Sequence, residues 1–190
     1  MSVVNPNVRF TYEDYQSLSE SMEKRYELLD GDLMMVPAPT TMHQRASRNL
    51  EFLLIQFVRH HKLGEVFDAP VDVVLGEGKN REIVQPDLIF VSHERKGIVT
   101  KKEIRGAPDL IVEILSPGTE ERDRGYKKAL YARYGVREYW IVNPDEQVIE
   151  VYVPQAQGFH LAEAYRSPSR RISAMLPTFE IELDEVFQAR

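Results

Sequence analysis

"PDLIVEILSPGTEERDRGYKKALYARYGVREYWIVNP", residues 108–144, is the stretch that decides the fold. "DLIVEIL" and "EYWIVN" are apolar runs of strand length. "TEERDRGYKKALYARYG" between them reads as a helix that ends at Gly135, with Gly125 weakening its first half. Strand, helix of about fifteen residues and strand form a βαβ unit, which implies parallel neighbours and a right-handed crossover. In the first strand Asp109, Ile111, Glu113 and Leu115 share one face, and Leu110, Val112 and Ile114 share the other. Both faces are mostly apolar, as in a central strand covered on each side. An ionised Glu113 is costly there unless it is paired or holds a cation.

Upstream, Thr11 with Asp14 starts a short helix, "YEDYQSLSES". "RYELLDGDLMMV" places Asp30-Gly31 between two apolar runs, a hairpin signal because a type I′ turn needs positive φ. After the loop "PAPTT", Thr41 and Gln44 have capping-box spacing. Ala46, Leu50, Leu53, Leu54, Phe57 and Val58 then make one helical stripe, with Gly64 as the stop. "GEVFDAPVDVVLG" and "REIVQPDLIFV" read as a strand pair turning at "EGKN". Downstream, "QVIEVYV" and the segments 159–165 and 171–176 read as strands, and "LDEVFQ" as a last helical turn. The expected class is α/β (α+β): a mixed central sheet flanked by helices. It forms one domain over residues 1–190, with an N-terminal helix and hairpin and a C-terminal strand extension.

The net charge of −6 argues against a broad basic surface, so any nucleic-acid contact must be local. With no cysteine, disulfides and thiolate zinc sites are excluded. No apolar run reaches the ~20 residues that span a bilayer, and the first residues do not resemble a secretory signal. A cytoplasmic protein with no membrane segment is expected.

Asp87, in "VQPDLIF", raises the same difficulty as Glu113. Pro86 removes a ladder donor, so the strand bends or starts its pairing there, and Asp87 is then free to aim at a point shared with Glu113. Two carboxylates converging from adjacent strands suit Mg²⁺ (or Mn²⁺), which activates water and stabilises charge on a phosphate. A nearby lysine would complete such a site, and Lys127 in the following helix is the candidate. The plainer account of Lys127 is an exposed i,i+4 pair with Asp123. Asp109 is excluded from sharing a metal with Glu113, since four residues of one strand span about 13 Å. It is assigned to the start of the strand.

These residues resemble the PD-(D/E)XK nuclease superfamily: proline-aspartate, a gap of 25 residues, then a glutamate in an apolar strand. More narrowly, "RYELLDGDL", "QPDLIFV" and the long stretch from Pro108 to Pro144 resemble the Uma family, a group classed with the restriction endonucleases. The resemblance implies a restriction-endonuclease-like core and metal-dependent hydrolysis of DNA. It implies Asp87 as the motif aspartate and Glu113 as the motif glutamate. Leu115 stands where the motif lysine belongs, so Lys127 would be that lysine displaced to the helix. Two further residues match family positions: Glu27 as an outer acidic metal ligand, and His43 as a phosphate contact or proton shuttle.

The assembled expectation is a Mg²⁺-dependent endodeoxyribonuclease. Asp87, Glu113 and the Ile114 backbone carbonyl hold the metal, and Lys127 assists the water or the phosphate. Arg122, Arg124 and Lys128, interleaved with Tyr126, Tyr131 and Tyr134, would meet DNA. Most of these tyrosines are expected to pack in the core or at its rim, and Trp140 in the core. Cutting both strands suggests a homodimer. Two rivals stay open: a non-catalytic DNA-binding or protein-interaction module on the same fold, and a two-carboxylate hydrolase such as a glycosidase, distinguished by carboxylate separation.

Overall fold

The computed structural model describes residues 9–19, 24–166, 173–176 and 178–188. The βαβ unit forms as its sequence pattern requires. Strand β8 (Leu110–Ile114) pairs parallel with β9 (Glu138–Asn143). Between them run α3 (Glu120–Arg122), a π-helical turn (Asp123–Lys127) that contains Gly125, and α4 (Lys128–Tyr134). Gly135 closes α4 in the left-handed conformation at φ 85°.

β8 and β9 are the centre of a six-stranded sheet. Its other strands are β3 (Gly64–Asp68), β6 (Leu88–Ser92), β10 (Val148–Gln155) and β11 (Gly158–Arg166), in the order β11-β10-β9-β8-β6-β3. The expected single sheet is in fact two. The second has five strands in the order β2-β1-β5-β4-β7. These are β1 (Tyr26–Leu29), β2 (Asp32–Met35), β4 (Val73–Leu75), β5 (Glu82–Val84) and β7 (Ile104–Arg105). The long strand pair read from the sequence explains the split. Its outer half, β4 with β5, belongs to the smaller sheet, and its inner half, β3 with β6, to the larger. Both strands break at a proline, Pro70 in one and Pro86 in the other, because proline cannot donate to a ladder.

The two faces of β8 separate as the alternation predicts. Leu110, Val112 and Ile114 pack with Ala46, Leu50, Leu54 and Val58 of α2 (Thr41–His60) and with Phe179, Leu183 and Val186 near the C-terminus. Helix α5 (Leu183–Phe187) supplies the last two of these. Ile111 and Leu115 pack with Leu130 and Tyr131 of α4 and with Leu29, Leu75 and Val84 of the smaller sheet. Trp140 is fully buried, as expected.

The hairpin turn carries φ 47° at Asp30 and 78° at Gly31, both positive as a type I′ turn demands. α1 (Tyr12–Ser19) opens with the reciprocal Thr11–Asp14 cap. Three local expectations need correction. The cap of α2 is Thr40, whose hydroxyl accepts from the His43 N–H, one residue before the expected Thr41. Gly64 does not stop that helix; it begins β3, where a Cβ would lie 2.0 Å from the Val91 carbonyl oxygen. The strand expected at 171–176 is not one in its described part, residues 173–176. There the backbone N–H of Met175 is spent on the Glu138 carboxylate.

Candidate active site

Antiparallel pairing of β6 with β8 matches Leu88 to Val112 and Ile89 to Ile111. Continuing that register by one residue sets Asp87 opposite Glu113, on one face of the sheet. Asp87 precedes β6, with its carbonyl accepting from the Ala69 N–H, and its side-chain Oδ2 accepts from the Ile114 N–H at 2.8 Å. His43, in the first turn of α2, lies 3.1 Å from the same oxygen through Nε2. Thus four sequence-selected residues, Asp87, Glu113, Ile114 and His43, line one cavity of about 260 Å³, and Glu27 and Lys127 line it too.

Lys127 reaches the site from the helix behind the sheet. Its Nζ is 3.0 Å from Glu113 Oε1, 2.7 Å from Glu27 Oε1 and 3.5 Å from Asp123 Oδ1. The pair with Asp123 exists, but it is buried rather than exposed, and Glu27 and Glu113 are the nearer partners. Glu27 comes from β1 of the smaller sheet, so this lysine fastens the two sheets together. Its second oxygen lies 3.6 Å from Arg122. Glu27 Oε1 also accepts from the Gln85 N–H.

One ammonium among three buried carboxylates sets the charge balance. Burial alone would lower Lys127, but Glu113, Glu27 and Asp123 outweigh it and hold the ammonium charged. Burial pushes Glu113 well above the usual carboxylate range. Lys127 pulls it back, and Asp123, Asp87 and Glu27 push it further up. Glu113 is therefore the carboxyl most ready to hold a proton.

Tyr131 is a further residue of the site, which its expected packing role does not indicate. Its hydroxyl donates to Glu113 Oε1 at 2.6 Å. Helical spacing held the signal, because Asp123, Lys127 and Tyr131 stand four apart and share a face. The cations expected to meet DNA are engaged within the protein. Arg122 turns to Glu27, and Arg124 pairs with Glu120 and Glu150. Lys128 lies over the Tyr152 ring at 4.9 Å. Asp109 is confirmed at the strand start: it accepts from the Ser92 N–H and pairs with Arg95 and Arg137.

The donor set fits a hard cation. Asp87 meets its protein partners through Oδ2 and Glu113 through Oε1. Asp87 Oδ1 and Glu113 Oε2 accept no hydrogen bond among the described residues, and both side chains face the cavity. No cluster of three acidic or histidine ligands converges among the described residues. A site with two carboxylates suits Mg²⁺, which keeps several of its waters, better than an ion that needs a full protein cage.

The sequence matches the family model of Uma2, described as "Putative restriction endonuclease", over residues 12–184. The chain belongs to the Uma2 family. The Uma2 match spans nearly everything described above, both sheets included. A crystal structure of "a putative nuclease belonging to DUF820" from Anabaena variabilis superposes with a TM-score of 0.76. It is 21% identical, covering 94% of this chain and 97% of that one, and it shows the shared nuclease-like fold. The chain is also 26% identical over 166 residues to "Uncharacterized protein slr1290" of Synechocystis, covering 87% of this chain and 85% of that protein. Among the described residues no helix is long and apolar enough to cross a membrane.

Proposed function

We propose that this Uma2 chain is a metal-dependent DNA endonuclease that hydrolyses phosphodiester bonds. One observation carries the reading: Asp87, Glu113 and Lys127, from two strands and the following helix, meet at a single cavity. Asp87 and Glu113 would hold Mg²⁺ (or Mn²⁺), with the Ile114 carbonyl as a third ligand and Glu27 behind them. The ion, when bound, would make a water nucleophilic and stabilise negative charge on the phosphate.

The protein's own groups do the positioning. His43 and the Ile114 N–H fix Asp87 through one oxygen, and Tyr131 and Lys127 fix Glu113 through one oxygen. The charged ammonium of Lys127 stands beside Glu113, where it can orient a water or offset charge on the phosphate.

A second reading is a nuclease fold that binds without cutting. It is favoured by the three carboxylates around Lys127, which give that lysine a full structural role. Cleavage of supercoiled plasmid with Mg²⁺ or Mn²⁺ tests both. The wild type is expected to nick DNA, and Glu113→Gln to be at least about 100-fold slower, more than the loss of an outer-shell partner. Equal rates would place the activity elsewhere, and tight binding without nicking would favour the second reading.

The raised Glu113 carboxyl adds a pH signature. A cation must displace its proton, so affinity for Mn²⁺ is expected to rise with pH, by up to about tenfold per unit, until Glu113 is ionised. Calorimetric titration across pH 5–8 with proton release measured checks this. A flat profile would mean that Glu113 is not a ligand.

A further inference from the structure

The outer face of α2 begins at the cavity and leads away from it. Gln44, Arg48 and Phe52 stand four residues apart, within about 80° of one another at about 100° per residue, so they share one face, and all three are exposed. The row spans about 12 Å at 1.5 Å per residue. It contains no acidic residue, on a chain of net charge −6. Gln44 and Arg48 line the candidate active site, and Arg48 also lines a second cavity of about 250 Å³ with Asn49, Phe52 and Leu53. The two cavities thus adjoin at Arg48. Phe52 is 60% exposed, the most open of the large apolar side chains among the described residues. Besides the acids of the site itself, Glu27, Asp87, Glu113 and Asp123, the first cavity is lined by Glu51 and Asp68, and the second by Glu185.

A cation beside an exposed aromatic, in a groove, is what an unpaired strand recognises: phosphate meets the charge and a base stacks on the ring. A duplex is served badly by the same surface. Asp87 is 17%, Glu113 5% and Lys127 4% exposed, so a phosphate must enter the cavity to reach them. A cavity of about 260 Å³ has room for one phosphodiester and its neighbours, and an unpaired strand bends into it more readily than a duplex, whose persistence length is about 150 base pairs. Arg122, Arg124 and Lys128, which would have widened the basic surface, are engaged internally.

We propose that the Gln44–Phe52 face of α2 guides one unpaired strand of DNA into the cavity, so that single-stranded or locally opened DNA is the substrate. The proposal rests on the nuclease reading for its chemistry, but its test does not need cleavage. Fluorescence anisotropy with a labelled strand of about 20 thymidines, and with a duplex of equal length, would be measured in Ca²⁺ for wild type, Phe52→Ala and Arg48→Ala. The single strand is expected to bind at least tenfold tighter than the duplex. Phe52→Ala should weaken it at least fivefold, with an unchanged thermal midpoint. Arg48→Ala should weaken it and flatten its salt dependence.

Equal or tighter duplex binding, no binding of either probe, or an indifferent Phe52→Ala would overturn the proposal. So would a Phe52→Ala variant that changes only the oligomeric state, which would assign this face to a protein partner. Preference for the single strand without any nicking would remove the nuclease reading and leave the face as a binding site for an unpaired strand. Nicking of duplex without that preference would do the reverse.

Discussion

Lys127→Met is expected to lower stability by about 3–5 kcal/mol, the cost of leaving buried charges without their partner. Glu27, Glu113 and Asp123 would face one another with no ammonium between them, each almost fully buried. For a chain of this size the loss is a fall of roughly 6–20 °C in thermal midpoint. Part of it should return in the double variant Lys127→Met with Glu113→Gln, because one of the stranded carboxylates is then gone. Nicking should return in neither. Thermal denaturation of the three proteins beside a nicking assay checks this. A Lys127→Met midpoint equal to that of wild type would show that the lysine does not tie the two sheets together. A stable variant that still nicks DNA would remove Lys127 from the chemistry as well.

Asp87→Asn separates catalysis from folding. Asparagine has nearly the same shape and keeps a carbonyl oxygen to accept from the Ile114 N–H, as Asp87 Oδ2 does at 2.8 Å. It loses the negative charge, and with it most of the attraction for a hard cation. Activity is therefore expected to fall at least 10²–10³-fold, in the range seen when one preorganised electrostatic contact is lost at a reacting centre. The thermal midpoint should move by no more than a few degrees. Retention of more than a tenth of the wild-type rate, with Mn²⁺ affinity intact, would show that Asp87 is not a ligand. The same substitution also asks what His43 does. With the charge removed, its Nε2 faces a neutral amide 3.1 Å away, and any further loss in His43→Ala/Asp87→Asn would belong to His43 alone.

The readable parts of the site are those written along single strands. Glu113 announces itself because a carboxylate interrupts an apolar, two-sided strand, and Asp87 because a proline before it breaks another. That they share a face also follows, since a one-residue slip would turn every apolar side chain to the wrong side, while the register that sets them opposite each other is read from the pairing of β6 with β8. Lys127 was selected by position alone, and its two nearest partners lie on different sheets. Tyr131 was legible in hindsight by its four-residue step, but an aromatic on a helix facing a sheet is ordinarily core, and nothing local distinguishes the two. The partners of Arg122, Arg124 and Lys128 are not legible, because charge in a sequence says nothing of which charge it will meet. Arg122 finds Glu27 ninety-five positions away, and Arg124 finds Glu150.

The sequence by itself determined the βαβ unit, the Asp30-Gly31 hairpin, the two covered faces of β8 and the two carboxylates that share its site. All of these rest on local periods of two or near four, on turn chemistry and on the cost of burying charge. Only the tertiary structure decided that the meander divides into two sheets, that Glu27 and Asp123 share the ammonium of Lys127, and that the basic residues of the helix turn inward. It also decided that the open face of α2 leads into the cavity. Those outcomes depend on which distant side chains are brought within 3–4 Å of each other, and no local pattern records that distance.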